Sequence, residues 1–403
     1  MSGSEPDPRR ANLYLMAVTV FVVFTGFAFL LPFLPLYVRE LGVESDEHAV
    51  LWSGVLIGAS PLLAGLMAPI WGRLADRHGH KRMLVRALAA YVVLLALSAF
   101  VRNPAELLLL RAGIGMAGGV GPLSLAMASA QAPRERMGHA VGIMQSAQIL
   151  AAAAGPLIGG TLADRIGIRA TFGVTAGICA LAMVLVAWRY VDVAPENPKS
   201  PGQKSQTSFF AVLQVPTVPA LLLLLFFVNF ISRSFTPVLP LHLERIGVAP
   251  ARLAFSTGLL ISVYSIAAAA SALSLGALSK RVSPRRLLVL SLAGGAVTVL
   301  PMMWVSSFLA FLALAAAFGL LSGGALALGY TVGGLTVSAD SRATAFGFLS
   351  GAALFGGALS PTVAGVLAQW RLRGIYPVDA ALFVALVVLV LVALRDRAPN
   401  RPD

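Results

Sequence analysis

Residues 32–43 read PFLPLYVRELGV, and residues 237–248 read PVLPLHLERIGV. The two stretches begin 205 residues apart in a chain of 403. Each ends a long apolar run with a pair of prolines and a Glu/Arg pair ahead of a glycine. The offset recurs elsewhere. GRLADRHGHKR (72–82) aligns with GALSKRVSPRR (276–286), and GPLIGGTLA (155–163) aligns with SPTVAGVLA (360–368). Each pair keeps a spacing of 204 or 205 and the same place in its half of the chain. One unit is therefore written twice.

Composition says what the unit is made of. The chain is 58% hydrophobic and 12% charged, where a soluble domain is nearer a quarter charged. Apolar runs of about 20 residues recur throughout, the length a helix needs to cross roughly 30 Å of hydrocarbon. Twelve spans are expected, at 12–38, 49–71, 83–101, 105–130, 138–162, 170–190, 215–242, 253–278, 287–305, 308–331, 343–369 and 376–394. The polar stretch VDVAPENPKSPGQKSQT (192–208) parts six from six and reads as a flexible cytoplasmic linker. The expected fold is all-α, with one six-helix bundle over 1–191 and another over 209–403. Duplicated halves of this kind are a transporter architecture.

The net charge of +13 does not point to nucleic acid, because the basic residues lie in short loops between apolar runs. With the N-terminus inside, eighteen Lys and Arg fall in inner segments and eight in outer ones. The positive-inside bias then places both termini in the cytoplasm. Arg9 and Arg10 flank an apolar run far longer than the core of a secretory signal. They read as the cytoplasmic flank of a retained first helix in the cell (inner) membrane. The single Cys179 allows no internal disulfide. No metal-ligand spacing or cofactor motif is present, and no nucleophile or metal cluster lies at membrane depth. An enzyme is not expected.

The loop at 72–82 resembles the signature loop of the major facilitator superfamily. Its glycines suit a tight turn between antiparallel helices. The resemblance implies that Gly72, Asp76, Arg77, Gly79, Lys81 and Arg82 form a cytoplasmic gate. Asp76 would face the positive N-terminus of a helix of the other half, near Ser341–Thr344. His80 departs from the family's basic residue, and Ala130-Gln131 stands where an acid often completes the relay.

Gly142, Ala151, Gly155-Pro156 and Gly159-Gly160 resemble the antiporter motif of drug exporters, with Ala151 in place of a glycine. Small residues at 151, 155 and 159 share one helical face and permit close packing, and Pro156 bends the helix. Gly26, Pro32 and Pro35 resemble a further motif of the twelve-helix drug:proton antiporters. With WSG (52–54) and PIWGRLADRHGHKRML (69–84), the first half is most similar to MdtG-type multidrug exporters.

Two arginines stand within spans. Arg111 matches the family's span-four pattern, with Gly115 four residues on, and Arg233 lies in VNFISRSFTPVLP. Counted from the outer ends they are roughly 9–14 Å deep at 1.5 Å per residue. A charge there should face protein or water. They either line one electropositive cavity or are otherwise satisfied, Arg111 by backbone carbonyls and Arg233 by reaching the surface. Arg86 is expected to reach the inner surface. Gln145, Gln148, Asn229 and Tyr264 are the polar candidates for substrate or coupling contacts, and Phe24, Phe27, Phe226 and Phe227 a greasy wall. Glu106, Asp164 and Asp379 are expected at outer span ends, and all five histidines near loops. No carboxylate is expected at mid-membrane, so proton coupling rests on the resemblance.

The resemblance implies a monomeric secondary transporter in the lipid bilayer. It would export amphiphilic drugs or related small molecules by alternating access, in exchange for protons. A transporter dedicated to one organic anion or metabolite is the alternative.

Overall fold

The computed structural model describes residues 8–118, 137–191, 217–279, 281–336 and 342–394, together with 120, 123, 124 and 127. Helices and turns account for every element among them. The expected linker at 192–208 and the Ala130-Gln131 position lie outside the described residues.

Span one runs Pro8–Leu30, passes through a 3-10 turn at Leu31–Phe33 and ends as Leu34–Glu40. Spans two to six are Asp46–His78, His80–Ser98, Pro104–Ala117, Met137–Ile166 and Ile168–Arg189. Span seven is Val218–Ser234 and Leu239–Arg245, bent by 42° at the break. Spans eight and nine are Leu253–Leu278 and Pro284–Val299. Span ten joins Phe308–Ser322 to Ala325–Thr336, span eleven is Arg342–Ala368 and span twelve is Ile375–Ala393. Nine segments among the described residues are long and apolar enough to cross a membrane, or ten with bent span seven counted whole. Spans three and four complete the twelve. The former opens with Lys81, Arg82 and Arg86, and the latter is described continuously only to Gly118.

The twice-written stretch explains the bends. A proline has no N–H and its ring clashes with the preceding turn. Pro32 sits in the 3-10 turn and Pro35 opens the next helix. Pro237 and Pro240 do the same in span seven. The end of the molecule where spans one and seven bend is called the bent end below, and the opposite one the terminal end.

Each half has its own apolar core. Leu84, Leu107, Met144 and Phe172 belong to that of the first, and Leu224, Leu292, Phe318 and Phe383 to that of the second. The halves meet where span two runs along span eleven and span five along span eight.

Span two was expected to end at residue 71, yet its helix runs to His78 and the next begins at His80. Gly79 alone makes the corner, at φ 91°, a conformation glycine adopts without strain.

Candidate functional site

The small residues of the antiporter-like motif lie against neighbouring backbones. Gly155 and Gly159 face span one at Thr25, Ala28 and Phe29. Gly160 faces Ala254 and Phe255 of span eight, and a Cβ on Gly258 would overlap the Pro156 carbonyl. The other seam repeats this at the mate positions. A Cβ on Gly54 would overlap the Pro361 carbonyl, and Gly365 lies on Val50 and Leu51. Gly142, also in the motif, has open space beside it. Close helix approach through small residues is how membrane helices pack without interlocking side chains.

The bent end is tied by charge. Arg39 Nη1 and Glu244 Oε2 are 2.6 Å apart, and Arg245 Nη2 lies 3.4 Å from Asp46 Oδ2. Arg39 and Glu244 are repeat mates of opposite sign. The Phe255 N–H donates to Asp164 Oδ2 at 2.8 Å, so an acid of span five meets the positive N-terminus of span eight.

At the terminal end, Lys81 Nζ donates to the Tyr190 carbonyl at 2.6 Å, fixing the Gly79 corner to the end of span six. Arg77 and Arg82 are exposed. Gly72 and Asp76 lie in the last turns of span two; their side chains, and the contact expected of Asp76, are outside the described residues. Arg86, expected to reach the inner surface, is half-buried; its guanidinium lies 3.6 Å over the Trp71 ring and donates to the Ala117 carbonyl at 3.0 Å. The aromatic face and the carbonyl take up part of the charge locally, while Nε has no hydrogen-bond partner.

The two deep arginines are placed differently. Arg111 is 1% exposed inside the first half, with Phe27 5.9 Å from its guanidinium. Its Nε and Nη2 have no hydrogen-bond partner, so neighbouring carbonyls do not satisfy those atoms. Arg233 is exposed. Its Cγ lies 3.7 Å from where a Cβ on Gly357 would sit, and Asn229 Oδ1 lies 3.1 Å from the same point. Arg233 and Asn229 thus share the seam between spans seven and eleven. Tyr264 stacks on Phe318 at 5.3 Å and meets Phe235 edge-on at 5.5 Å, within electrostatic reach of Arg233. Gln145 is exposed and Gln148 half-buried on span five. The structure therefore gathers Asn229, Arg233 and Tyr264 in the second half, and Arg111 with Phe27 in the first.

Two residues expected near span ends or loops are fully enclosed. Asp379 and His242 are each 0% exposed. Ser234 Oγ donates to Asp379 Oδ2 at 2.5 Å, and His242 Nδ1 is hydrogen-bonded to the Tyr376 hydroxyl at 2.8 Å. Both do lie near span ends, but position along the chain does not show what covers them: Ser234 packs on Asp379 and Tyr376 on His242. The bend carries Leu239–Arg245 back over the core. The repeat itself held the signal, since it aligns His242 with Tyr37 and Asp379 with Thr175.

Comparison with known proteins agrees with this architecture. The sequence model of the Major Facilitator Superfamily matches residues 16–257 and 221–403. The chain is 34% identical over 303 residues to multidrug resistance protein MdtG of Proteus mirabilis (strain HI4320), covering 74% of each chain. It is 33% identical over 308 residues to MdtG of Dickeya zeae (strain Ech586), covering 76% of this chain and 75% of that protein. Among solved structures, a bacterial homolog of the human lysosomal transporter Spinster, inward-facing and unoccupied, superposes with a TM-score of 0.75. That match has 18% identity and covers 97% of this chain and 96% of the other. The human organic anion transporter MFSD10 (TETRAN) gives a TM-score of 0.66 at 17% identity, covering 96% of this chain and 100% of the other. The two-fold repeat, its mate seams and the sequence match agree: the chain belongs to the Major Facilitator Superfamily.

Proposed function

We propose that this multi-pass membrane protein exports amphiphilic drugs or related small molecules by alternating access, exchanging them for inward-moving protons. It is a transporter and not an enzyme, as its family membership requires. One observation carries the mechanism. Two like halves meet along mate seams built from backbone and small residues, while the bent end is held by ion pairs and a helix-terminal acid. Such an arrangement can rock about its middle, opening one end as the other closes. The MdtG names of the relatives support drug export.

The excess of Lys and Arg toward the terminal end supports cytoplasmic termini in an inner membrane. The tied bent end then faces outward. On this reading the Gly72–Arg82 corner gates the cytoplasmic side, with Asp76 as its acid, and the protein acts as a monomer. Arg233 and Asn229 meet the substrate in the seam with span eleven. Apolar walls with few polar groups suit loose recognition.

Arg111, whose Nε and Nη2 have no hydrogen-bond partner, favours a second reading, in which the cargo is one organic anion or metabolite. Inside-out vesicles with an imposed, collapsible pH gradient decide between the two. The panel is matched anionic, zwitterionic, neutral and cationic amphiphilic dyes. Broad, gradient-dependent accumulation supports the exporter. Accumulation of the anionic dye alone, or indifference to the gradient, supports the dedicated carrier.

A further inference from the structure

The two halves differ at the bend. Through the 204 and 205 offsets, His242 stands where Tyr37 does, Tyr376 where Phe172 does, Asp379 where Thr175 does and Ser234 where Phe29 does. In the first half this place is largely apolar. The Tyr37 and Phe172 rings are 5.2 Å apart, Phe29 is buried, and the Thr175 hydroxyl donates to the Thr171 carbonyl of its own helix at 2.8 Å. In the second half the same four positions make two buried polar pairs, Ser234 with Asp379 and His242 with Tyr376. Asp379 Oδ1 and His242 Nε2 are left without partners. The first half reaches the same architecture without these groups, so the fold does not need them. Enclosing an unpaired carboxyl is costly in either half.

Their placement gives them a role. Ser234 closes the first segment of span seven, and His242 lies in the second. Their partners, Asp379 and Tyr376, stand three residues apart on one face of span twelve. Span twelve thus grips span seven on both sides of the bend. The first grip adjoins Arg233 in the seam with span eleven. The segment beyond the second ends in Glu244 and Arg245, which make the bent-end ion pairs. A small void of about 10 Å³, lined in part by Phe235, Leu239, Tyr264, Phe318 and Tyr376, lies against the bend.

We propose that Asp379, held by Ser234, is a proton-binding site of the transport cycle, and that its protonation resets the bend of span seven. The proposal rests on the proton-exchange reading above. A proton arriving from water adds to the unpartnered Oδ1, turning the carboxylate into a neutral carboxylic acid. The reverse step returns the same proton, and no other reactant is needed. The change alters the hold of Ser234, which passes it to Arg233 on one side and to the bent-end ion pairs on the other. The titratable and charged groups near the cluster are Arg233, His242 and Arg245 of span seven, Tyr264 of span eight, and Arg373 and Tyr376 of span twelve and its approach. Spans nine and eleven contribute only Arg285, Arg286 and Arg342 at their other ends. None of these makes an ion pair with Asp379 among the described residues.

Two measurements on the full chain test this. Infrared spectra of the purified protein in lipid nanodiscs are titrated through the neutral range without any substrate. The expected result is a protonated-carboxyl band that grows as pH falls and is absent in Asp379→Asn. Ser234→Ala keeps the carboxyl and removes its donor, so it should shift the band and its midpoint. Should Asp379→Asn fail to fold, that shift alone decides the matter. In vesicles, Asp379→Asn should still exchange the dye that wild type accumulates, while gradient-driven accumulation falls about tenfold or more. A band unchanged in both variants overturns the site. So does gradient-driven accumulation in Asp379→Asn equal to wild type, which leaves proton exchange standing. Wild-type vesicles indifferent to the gradient overturn the exchange reading, and the coupling role with it.

Discussion

At the seam of spans two and eleven, the Pro361 carbonyl occupies the space of a Cβ on Gly54; at the seam of spans five and eight, the Pro156 carbonyl does the same at Gly258. Between spans seven and eleven the Ser360 hydroxyl donates to the Phe230 carbonyl at 2.5 Å. Its mate Gly155 lies 3.1 Å, at the Cβ position, from the Thr25 carbonyl, the mate of Phe230. These contacts are kept in both halves, in shape even where the residue differs. The core behind the bend is not kept. There the second half has His242, Tyr376, Asp379 and Ser234 where the first packs largely apolar groups. Positions alike in both halves therefore serve the common architecture, and positions that differ are where transport chemistry should be sought.

The comparison breaks most visibly if the seams are not equivalent. Gly54→Leu and Gly258→Leu should both abolish transport and lower the thermal midpoint alike, overpacking alone costing about 1–3 kcal/mol. Intact transport in either variant would dissolve the equivalence of the two seams. Next in size is the pair of arginines. Arg233→Ala should weaken export of anionic dyes roughly tenfold more than neutral ones, a charged hydrogen bond being worth about 1.5–3 kcal/mol. Arg111→Ala should show the same preference if its guanidinium meets the cargo. Equal losses for anionic and neutral dyes would remove charge selection from both.

A smaller effect is expected at the bend. Replacing His242→Tyr together with Tyr376→Phe gives the second half the aromatic pair of the first. The thermal midpoint should stay level or rise, since replacing both partners of a buried hydrogen bond by groups of similar shape can be nearly neutral or stabilising. A steep fall on heating would mean that the polar pair is structural after all. The least effect belongs to the bent-end ion pair. Arg39→Glu should speed opening only slightly, because partly exposed pairs are worth about 0.2–1 kcal/mol. Adding Glu244→Arg should restore the original rate, as measured in a double-mutant cycle.

The fold was legible because it was written twice. Hydropathy located the spans, and the prolines at 32, 35, 237 and 240 marked where two of them bend. The seams were half legible. The spacing of Gly155, Pro156 and Gly159 announced close packing, but nothing in one sequence says that Gly258 is the partner of Pro156. The enclosure of the acid was not legible. Asp379 does stand near the start of span twelve, as its place in the sequence suggests, but one sequence does not say that Ser234, at the end of span seven's first segment, packs over it. Arg86 was legible in part, since its place near a span end is plain from the sequence but the Trp71 ring and Ala117 carbonyl that hold it are not.

The seams also bear on how the molecule moves. Where side chains interlock, one helix can shift past another only by lifting ridges out of grooves. Gly54 against Pro361 and Gly258 against Pro156 present almost no relief, so each seam works as a plain bearing. The ion pairs at 39, 46, 244 and 245 then act as a detent, stiff enough to define a stop and weak enough to be released. That stop adds little to the barrier between states, in keeping with the slight effect expected of Arg39→Glu. Ionic strength, which leaves a bearing untouched, should loosen the stop.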